Sequence, residues 1–498
     1  MSLRTTSTLL LLAVLAGCAT AGKDYAGPPA ATQATAFARA GEPSADGQVL
    51  ARWWPALGDA TLDGLVDAAL KANPNLGVAR ARLRQARAAL GTERANGRPN
   101  GTATAMAAHL RLPPVGDALA GAGTGGAEGG SQEGGSGLAI PSSLNLYNVG
   151  FDATWEIDLF GGRRRAVEAA GAAAEAAEAQ LADAQLSLTA EVGSAYVNLR
   201  SVQRRLALSD AAIGRQQRML DLTARRVQAG TASQLDLTRL QGQLESTRAE
   251  SEPLLTQLDA YRDELATLAG LAPGALDARL AQPSAGLAPV PLPPAAVAVG
   301  DPAALLQRRP DIRAAERTLA ARSAQVGQAD AARFPRLTLL GLIGIGGTHP
   351  SDLTHLDDFS AIAAPQLSWN FLDFGRNAAR IEQAEGVRDE AEAQYRVAVL
   401  GALRDAEGAL SRFKQRRVTV ATIARAKAAA DHATELMAAR QKAGTASLID
   451  LLDTERQQIA AEQNLAQAQA ALTGEFVALH KALGLGWQAP AVQASGAP

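Results

Sequence analysis

The chain has 498 residues and a formal net charge of −2, which excludes the broad basic field that nucleic-acid binding requires. Charged residues make up 20% and aromatics only 4%, with alanine abundant, a mix that suits long helices better than a compact enzyme core. The five histidines (His109, His349, His355, His432, His480) are scattered with no pair at metal-ligand spacing, so no metal site is expected.

The first residues read "MSLRTTSTLLLLAVLAGCAT", with Arg4 ahead of an apolar run from Leu9 to Ala16. That run is too short to cross a bilayer as a helix and reads as a signal peptide over residues 1–17. Leu15-Ala16-Gly17-Cys18 resembles a bacterial lipobox, in which the cysteine is acylated and becomes the first residue of the mature chain. An ordinary cleavage site with a chance cysteine is the alternative. Cys18 is therefore the candidate lipid-attachment residue, and residues 18–60 form a tether. Ala19 after it implies, in signals of this kind, passage to the outer membrane.

Residues 61–282 form a first repeat and residues 303–487 a second, joined by a Pro-rich linker (283–302) and followed by a tail (488–498). "NPNLGVARARL" (73–83) matches "RPDIRAAERTL" (309–319) at a spacing of 236, from Asn73 to Arg309. Further on the spacing is 214, from Trp155 to Trp369 and from Gly230 to Gly444. The first copy is longer by the Gly-rich stretch Gly116 to Gly137, a flexible insert.

Ahead of each long helix lies a strand signal. "LYNVGFDATWEIDL" alternates, with Tyr147, Val149, Phe151, Ala153, Trp155, Ile157 and Leu159 on one face and a polar set on the other. This is the pattern of a membrane β-barrel strand, with a soluble sandwich edge as the alternative. "PQLSWNFLDFG" repeats it with Leu367, Trp369 and Phe371, and weaker partner strands follow Pro99 and Pro335. Four strands do not close a membrane barrel, and open edges are not tolerated in lipid, so several chains must share one. Three would supply twelve strands.

Long helices follow. From Gly162 no proline occurs until Pro253, and Val192, Leu199, Leu206, Ile213, Leu220 and Val227 recur every seven residues. A strict heptad drifts on a straight helix and calls for a partner wrapped around it. Arg163 to Ala229 would be a helix of roughly 100 Å. Val399, Ala406, Phe413 and Val420 repeat the spacing in the second copy, ending near Ala443. "AGTAS" then appears in both copies. Gly230 and Gly444 stand where a glycine ends a helix, and Ser233 and Ser447 where a serine starts the next, with Asp236 and Asp450 three residues on. Each AGTAS is thus the tip of a helical hairpin, with returning helices over about 234–269 and 448–483. Pro253 is expected to kink the first, and Gln458 interrupts the heptad of the second.

These residues together resemble the TolC-like outer-membrane efflux proteins, and within them the lipoprotein branch (OprM-like, NodT-type). The resemblance covers nearly the whole mature chain. It rests on Arg52-Trp53-Trp54 with "GDATLDGLVDAALKANPNL", on "WEIDLFG", on both AGTAS tips, on "LLQRRPDIRAAERTLAARSA" and on "HKALGLGW". His480 stands where the family usually has an aromatic.

The resemblance implies an internally duplicated, mainly α fold with membrane β: a homotrimer whose twelve-stranded barrel crosses the outer membrane and whose helical hairpins build a periplasmic α-barrel. It implies an exit duct for small molecules, docked to a periplasmic adaptor and an inner-membrane pump of the resistance–nodulation–division type, with no cofactor beyond the lipid on Cys18. Asp450, Asp453 and Arg456 would line the periplasmic aperture, and Gly230, Thr231, Ser233, Gly444, Thr445 and Ser447 would meet the adaptor. Simple helix capping is the competing role for Asp450. Two other classes stay weaker. "GAGTGG" (121–126) satisfies a dinucleotide motif without the strand and helix that would make it one. A purely structural coiled-coil lipoprotein leaves the alternating strands unexplained. A protein-secretion outlet is the nearer alternative, since the same tunnel would serve it.

Overall fold

The computed structural model describes residues 21–29, 36–39, 52–111, 143–281, 289–294, 297, 302–355, 357 and 359–487. Cys18 and the Gly-rich insert lie outside them. The first repeat contains helices α1 (Ala60–Ala72) and α2 (Pro74–Asn96), strands β1 (Asn100–Arg111) and β2 (Ser143–Ile157), then helices α3 (Gly162–Gln228) and α4 (Gln234–Leu268). The second contains α5 (Pro302–Arg308), α6 (Pro310–Ala331), β3 (Arg336–Gly347), β4 (Phe359–Ser368), α7 (Arg376–Lys442) and α8 (Leu448–Ala482). The copies agree in length as well as order: α3 and α7 have 67 residues each, and α4 and α8 have 35. The helix α4 runs on through Pro253.

The chain divides into two compact units that cut across the repeats. One draws its described residues from Met1–Ala26, Ala88–Gly171 and Ala321–Arg388. It holds the sheet, antiparallel throughout in the order β1-β2-β3-β4. Its register sorts the side chains. Ala103, Phe151, Ile343 and Ala361 lie in one row, and Trp155, Leu339 and Pro365 in another. Because side chains alternate along a strand, the whole face through these rows is apolar from Tyr147 to Ile157, from Leu337 to Ile345 and from Phe359 to Leu367. The opposite face is mixed, with Asp152 accepting a 2.9 Å hydrogen bond from Thr104. Past the upper end of the band, His109 and Asn145 join at 2.7 Å. At the lower end the repeat shows in detail: Trp155 Nε1 donates to Gly97 O and Trp369 Nε1 to Arg333 O, at 3.1 and 3.0 Å.

One strand differs from the sequence reading. The fourth begins at Phe359 and ends at Ser368, so Trp369 and Phe371 lie beyond it. Its first half, "FSAIAA", sets small residues on both faces, and that weak contrast hid the strand from a search for alternation.

The second unit draws its described residues from Gly27–Arg87, Ala172–Ala320 and Asp389–Pro498. Its core gathers Trp53, Leu62, Tyr196, Leu199, Val399, Phe413, Phe476 and Leu479. The heptad positions are buried where the core is (Val192, Leu199, Leu206 on α3; Val399, Ala406, Phe413 on α7). The tryptophan pair is explained here: Trp53 packs edge-on against Phe476, and Gly193 leaves room for its ring, since a Cβ there would overlap it. Asp59 starts α1 by accepting from the N–H groups of Thr61 and Leu62, while its other oxygen takes the Tyr196 hydroxyl at 2.6 Å.

The matching "NPNL" and "RPDI" stretches tie off the returning helices. Asn73 Nδ2 donates to Leu268 O at 2.9 Å, and Arg309 Nη1 donates to Ala482 O at 3.1 Å. The donors are 236 apart and the carbonyls 214 apart, the two spacings of the repeat. Gly270 and Gly484 follow each carbonyl with φ of 73° and 74°, the left-handed ending that favours glycine. Buried His480 fills the space beside Trp53 and Phe476, its ring 4.1 Å from that of Phe476, so an imidazole does the packing work of an aromatic.

Candidate functional site: the hairpin tips

Both AGTAS segments close helices by the same bonds. In the first, the N–H of Gly230 donates to Val227 O at 2.9 Å and that of Thr231 to Arg226 O at 2.8 Å. In the second, Gly444 donates to Gln441 O at 3.0 Å and Thr445 to Arg440 O at 2.9 Å. The glycines have φ of 71° and 75°. The threonine hydroxyls add a bond each, Thr231 Oγ1 to Arg226 O and Thr445 Oγ1 to Arg440 O, both 3.1 Å. All of Gly230, Thr231, Gly444 and Thr445 are exposed. AGTAS is therefore a folding instruction: glycine to reverse the chain, threonine to close the finished helix, serine to begin the next.

The two tips then diverge. Ser233 accepts from Leu235 N at 3.0 Å and Asp236 completes no capping box. Ser447 does have one. Its hydroxyl accepts from Asp450 N at 3.2 Å and donates to Asp450 Oδ2 at 2.7 Å, while its own N–H donates to the same oxygen at 3.1 Å. The Ser447 hydroxyl and backbone N–H hold the Asp450 carboxyl below the usual carboxylate range, with Arg440 adding a smaller pull. Asp453 pairs with Arg456, Oδ1 to Nη2 at 2.8 Å, and Gln457 donates to its other oxygen at 3.1 Å. Asp450, Asp453 and Arg456 thus sit together at one tip, all accessible, with Asp450 capping and Asp453 ion-paired with its neighbour in the chain.

One cluster went unrecognised in the sequence. Between α7 and α8, Lys427 reaches Asp431 at 2.5 Å and Glu462 at 3.6 Å, and Gln458 Nε2 donates to Asp431 Oδ1 at 2.9 Å. The polar interruption at Gln458 is therefore half of an inter-helix bridge. The first hairpin has buried Leu244 at the matching place, 214 positions earlier. The signal available was the pairing of that broken heptad with Lys427 and Asp431 at i,i+4 spacing.

Among the described residues no group of three or more His, Cys, Asp or Glu could hold a metal ion. No described helix is long and apolar enough to cross a membrane. What the chain offers is an apolar-faced antiparallel sheet and two long hairpins with exposed, capped tips, the make-up of a channel-forming chain of the outer membrane. Comparison with known proteins gives the family. A family model described as outer membrane efflux protein matches residues 65–271 and 302–485, and the chain belongs to that family. It is 30% identical over 475 residues to nodulation protein T of Rhizobium leguminosarum bv. viciae, covering 95% of this chain and 91% of that protein. It is 32% identical over 441 residues to outer membrane protein OprJ of Pseudomonas aeruginosa, covering 87% and 86%. The solved structure of the outer-membrane channel OprN superposes with a TM-score of 0.80 at 33% identity, over 94% of this chain and 99% of that one. The protein is an outer-membrane efflux component that extends into the periplasm, and it is not an enzyme.

Proposed function

We propose that three copies of the chain close their sheets into one twelve-stranded barrel and serve as the exit duct of a tripartite pump. The observation that carries this is the sheet itself: one face is apolar across all four strands, and β1 and β4 each pair with one strand only among the described residues. In hydrocarbon every unpaired backbone group costs several kcal/mol, of order, so β4 of one chain must meet β1 of the next. Cys18, acylated, adds a lipid anchor. The partners are a periplasmic adaptor, which takes the tips through Gly230, Thr231, Ser233, Gly444, Thr445 and Ser447, and an inner-membrane pump of the resistance–nodulation–division type.

At the aperture, Asp450 and Asp453 of three chains form a ring that holds cations, tempered by Arg456. Like charges brought close raise one another's pKa and titrate together. Single-channel recordings test this. Asp450→Ala and Asp453→Ala are expected to weaken block by divalent cations and raise conductance. Unchanged block in both removes the ring and leaves Asp450 as a helix cap.

A further inference from the structure

Arg165 lies in the first turn of α3, and its side chain is only 3% exposed. A buried guanidinium is costly unless its donors are taken up. Here Nε donates to Ala21 O at 3.3 Å and Nη2 to Gly22 O at 3.1 Å, while the carboxylates of Asp24 and Glu168 each approach to 2.7 Å. Three of the four partners belong to residues 21–24. Two further contacts hold the same segment. The N–H of Ala21 donates to Phe160 O at 2.9 Å. Gly22, at φ +78°, crosses Gly327 so closely that a Cβ on Gly22 would stand 2.5 Å from the Gly327 Cα. A Cβ on Gly327 would stand 2.9 Å from Arg165 Nε.

The internal duplication supplies a control. The counterpart of Arg165, 214 positions on, is Ala379, and the counterpart of Gly327, 236 positions back, is Gly91. A Cβ at Gly91 would meet open space. The counterpart pair, Ala379 and Gly91, thus has neither the arginine nor the tight passage.

We propose that Arg165 is a positioning residue for the N-terminal tether: it locks residues 21–24 against Phe160 and Gly327, and so fixes where the acyl chains on Cys18 enter the membrane, beside the foot of β2. The inference rests on the reading of Cys18 as acylated. Phe160 follows the end of β2 by three residues, and the three residues from Ala21 back to Cys18 span at most about 11 Å. Acyl chains bind membranes reversibly one at a time, so a short, fixed tether keeps them at the barrel rather than free to sample the leaflet.

Trypsin reads the clamp directly, because exposed Lys23 lies inside it. On the full-length protein in detergent micelles, where both sides are open to the protease, Arg165→Ala is expected to raise the rate of cleavage after Lys23 at least tenfold. Cleavage after Arg225, exposed at the first hairpin tip, should not change. Glu168→Ala, which removes a partner far from the cleaved bond and leaves the backbone acceptors and Asp24, should give an intermediate rate and keeps the test open if the first variant does not fold. Equal rates after Lys23 in wild type and both variants overturn the clamp. An equal rise at both sites also overturns it, since the arginine then only stabilises the fold. The mass of the released peptide reports Cys18 separately: an unmodified cysteine sinks the acylation and with it the membrane role, whatever the rates.

Discussion

His480 shows how one residue ties packing to pH. Burial among Trp53 and Phe476 pushes its pKa down to about 4, against an ordinary 6.5, while its Nδ1 lies 2.8 Å from the Phe476 carbonyl. The folded state therefore favours the neutral ring, and the unfolded state binds more protons between those values. Stability present above pH 6.5 is lost progressively as pH falls to 4, by roughly 3 kcal/mol at most. Replacement by phenylalanine, which keeps the ring and cannot charge, should abolish this slope in urea-midpoint measurements between pH 7 and 4; an unchanged slope would assign it elsewhere. Asp450 behaves differently. Its hydrogen bonds depress the carboxyl, so the capping box at the second tip persists through that whole interval and opens only as pH falls through a value below 3.8. Gly444→Ala, by contrast, forces a Cβ into the left-handed region and should loosen this tip by about 1–2 kcal/mol, seen as faster hydrogen exchange of the Thr445 amide.

At the scale of elements, the ends of helices matter more than their middles. Asn73 serves two at once: its oxygen accepts from Asn75 N and Leu76 N, starting α2, while its nitrogen binds Leu268 O, closing α4. Asn73→Ala removes both and should cost about 1–3 kcal/mol, with exchange protection lost in the last turn of α4 and the first of α2 together. The bridge of Lys427, Asp431 and Gln458 is expected to contribute less. Lys427 and Asp431 are half-buried but still in contact with water, with 31% and 26% of their side chains exposed, so a double-mutant cycle on them should return a coupling of about 1 kcal/mol.

The hairpin helices were legible in the sequence almost to the residue at the tips, because those ends are written in glycine, serine and aspartate and the middles in heptads. The strand β2 was legible because Val149, Phe151 and Trp155 alternate with Asp152, Thr154 and Glu156. The start of β4 was not, since Ala361 and Ala363 face the same contrastless background as Ser360 and Ala364. Nor was Arg165, whose partners Ala21 and Gly22 lie far away in the chain and leave no local pattern. At the tips the residues were found but their bonds were not: that Asp453 pairs with Arg456 depends on side-chain geometry that spacing only permits.

For the molecule as a whole, the apolar face of the sheet is the feature with the largest consequence. Phe151 and Phe359 are 68% and 53% exposed in one chain, far more than a water-soluble sheet of this size would leave uncovered. A lysine placed within the band, as in Ile343→Lys, should cost about 2–4 kcal/mol in lipid and abolish heat-resistant oligomers on gels, whereas Thr104→Lys on the mixed face should leave them intact. The duplication gives each chain two strand pairs and two hairpins of matched helix length, so the proposed trimer would approximate six similar units. The departures from that symmetry, namely the capping box at Ser447, the polar bridge at Gln458 and the clamp at Arg165, are then the places where the halves take different roles. The most direct measurement of the account is the mass of the detergent-solubilised particle by light scattering, corrected for bound detergent. Three chains per particle is the result it predicts; a folded monomer with its β signal intact would contradict it.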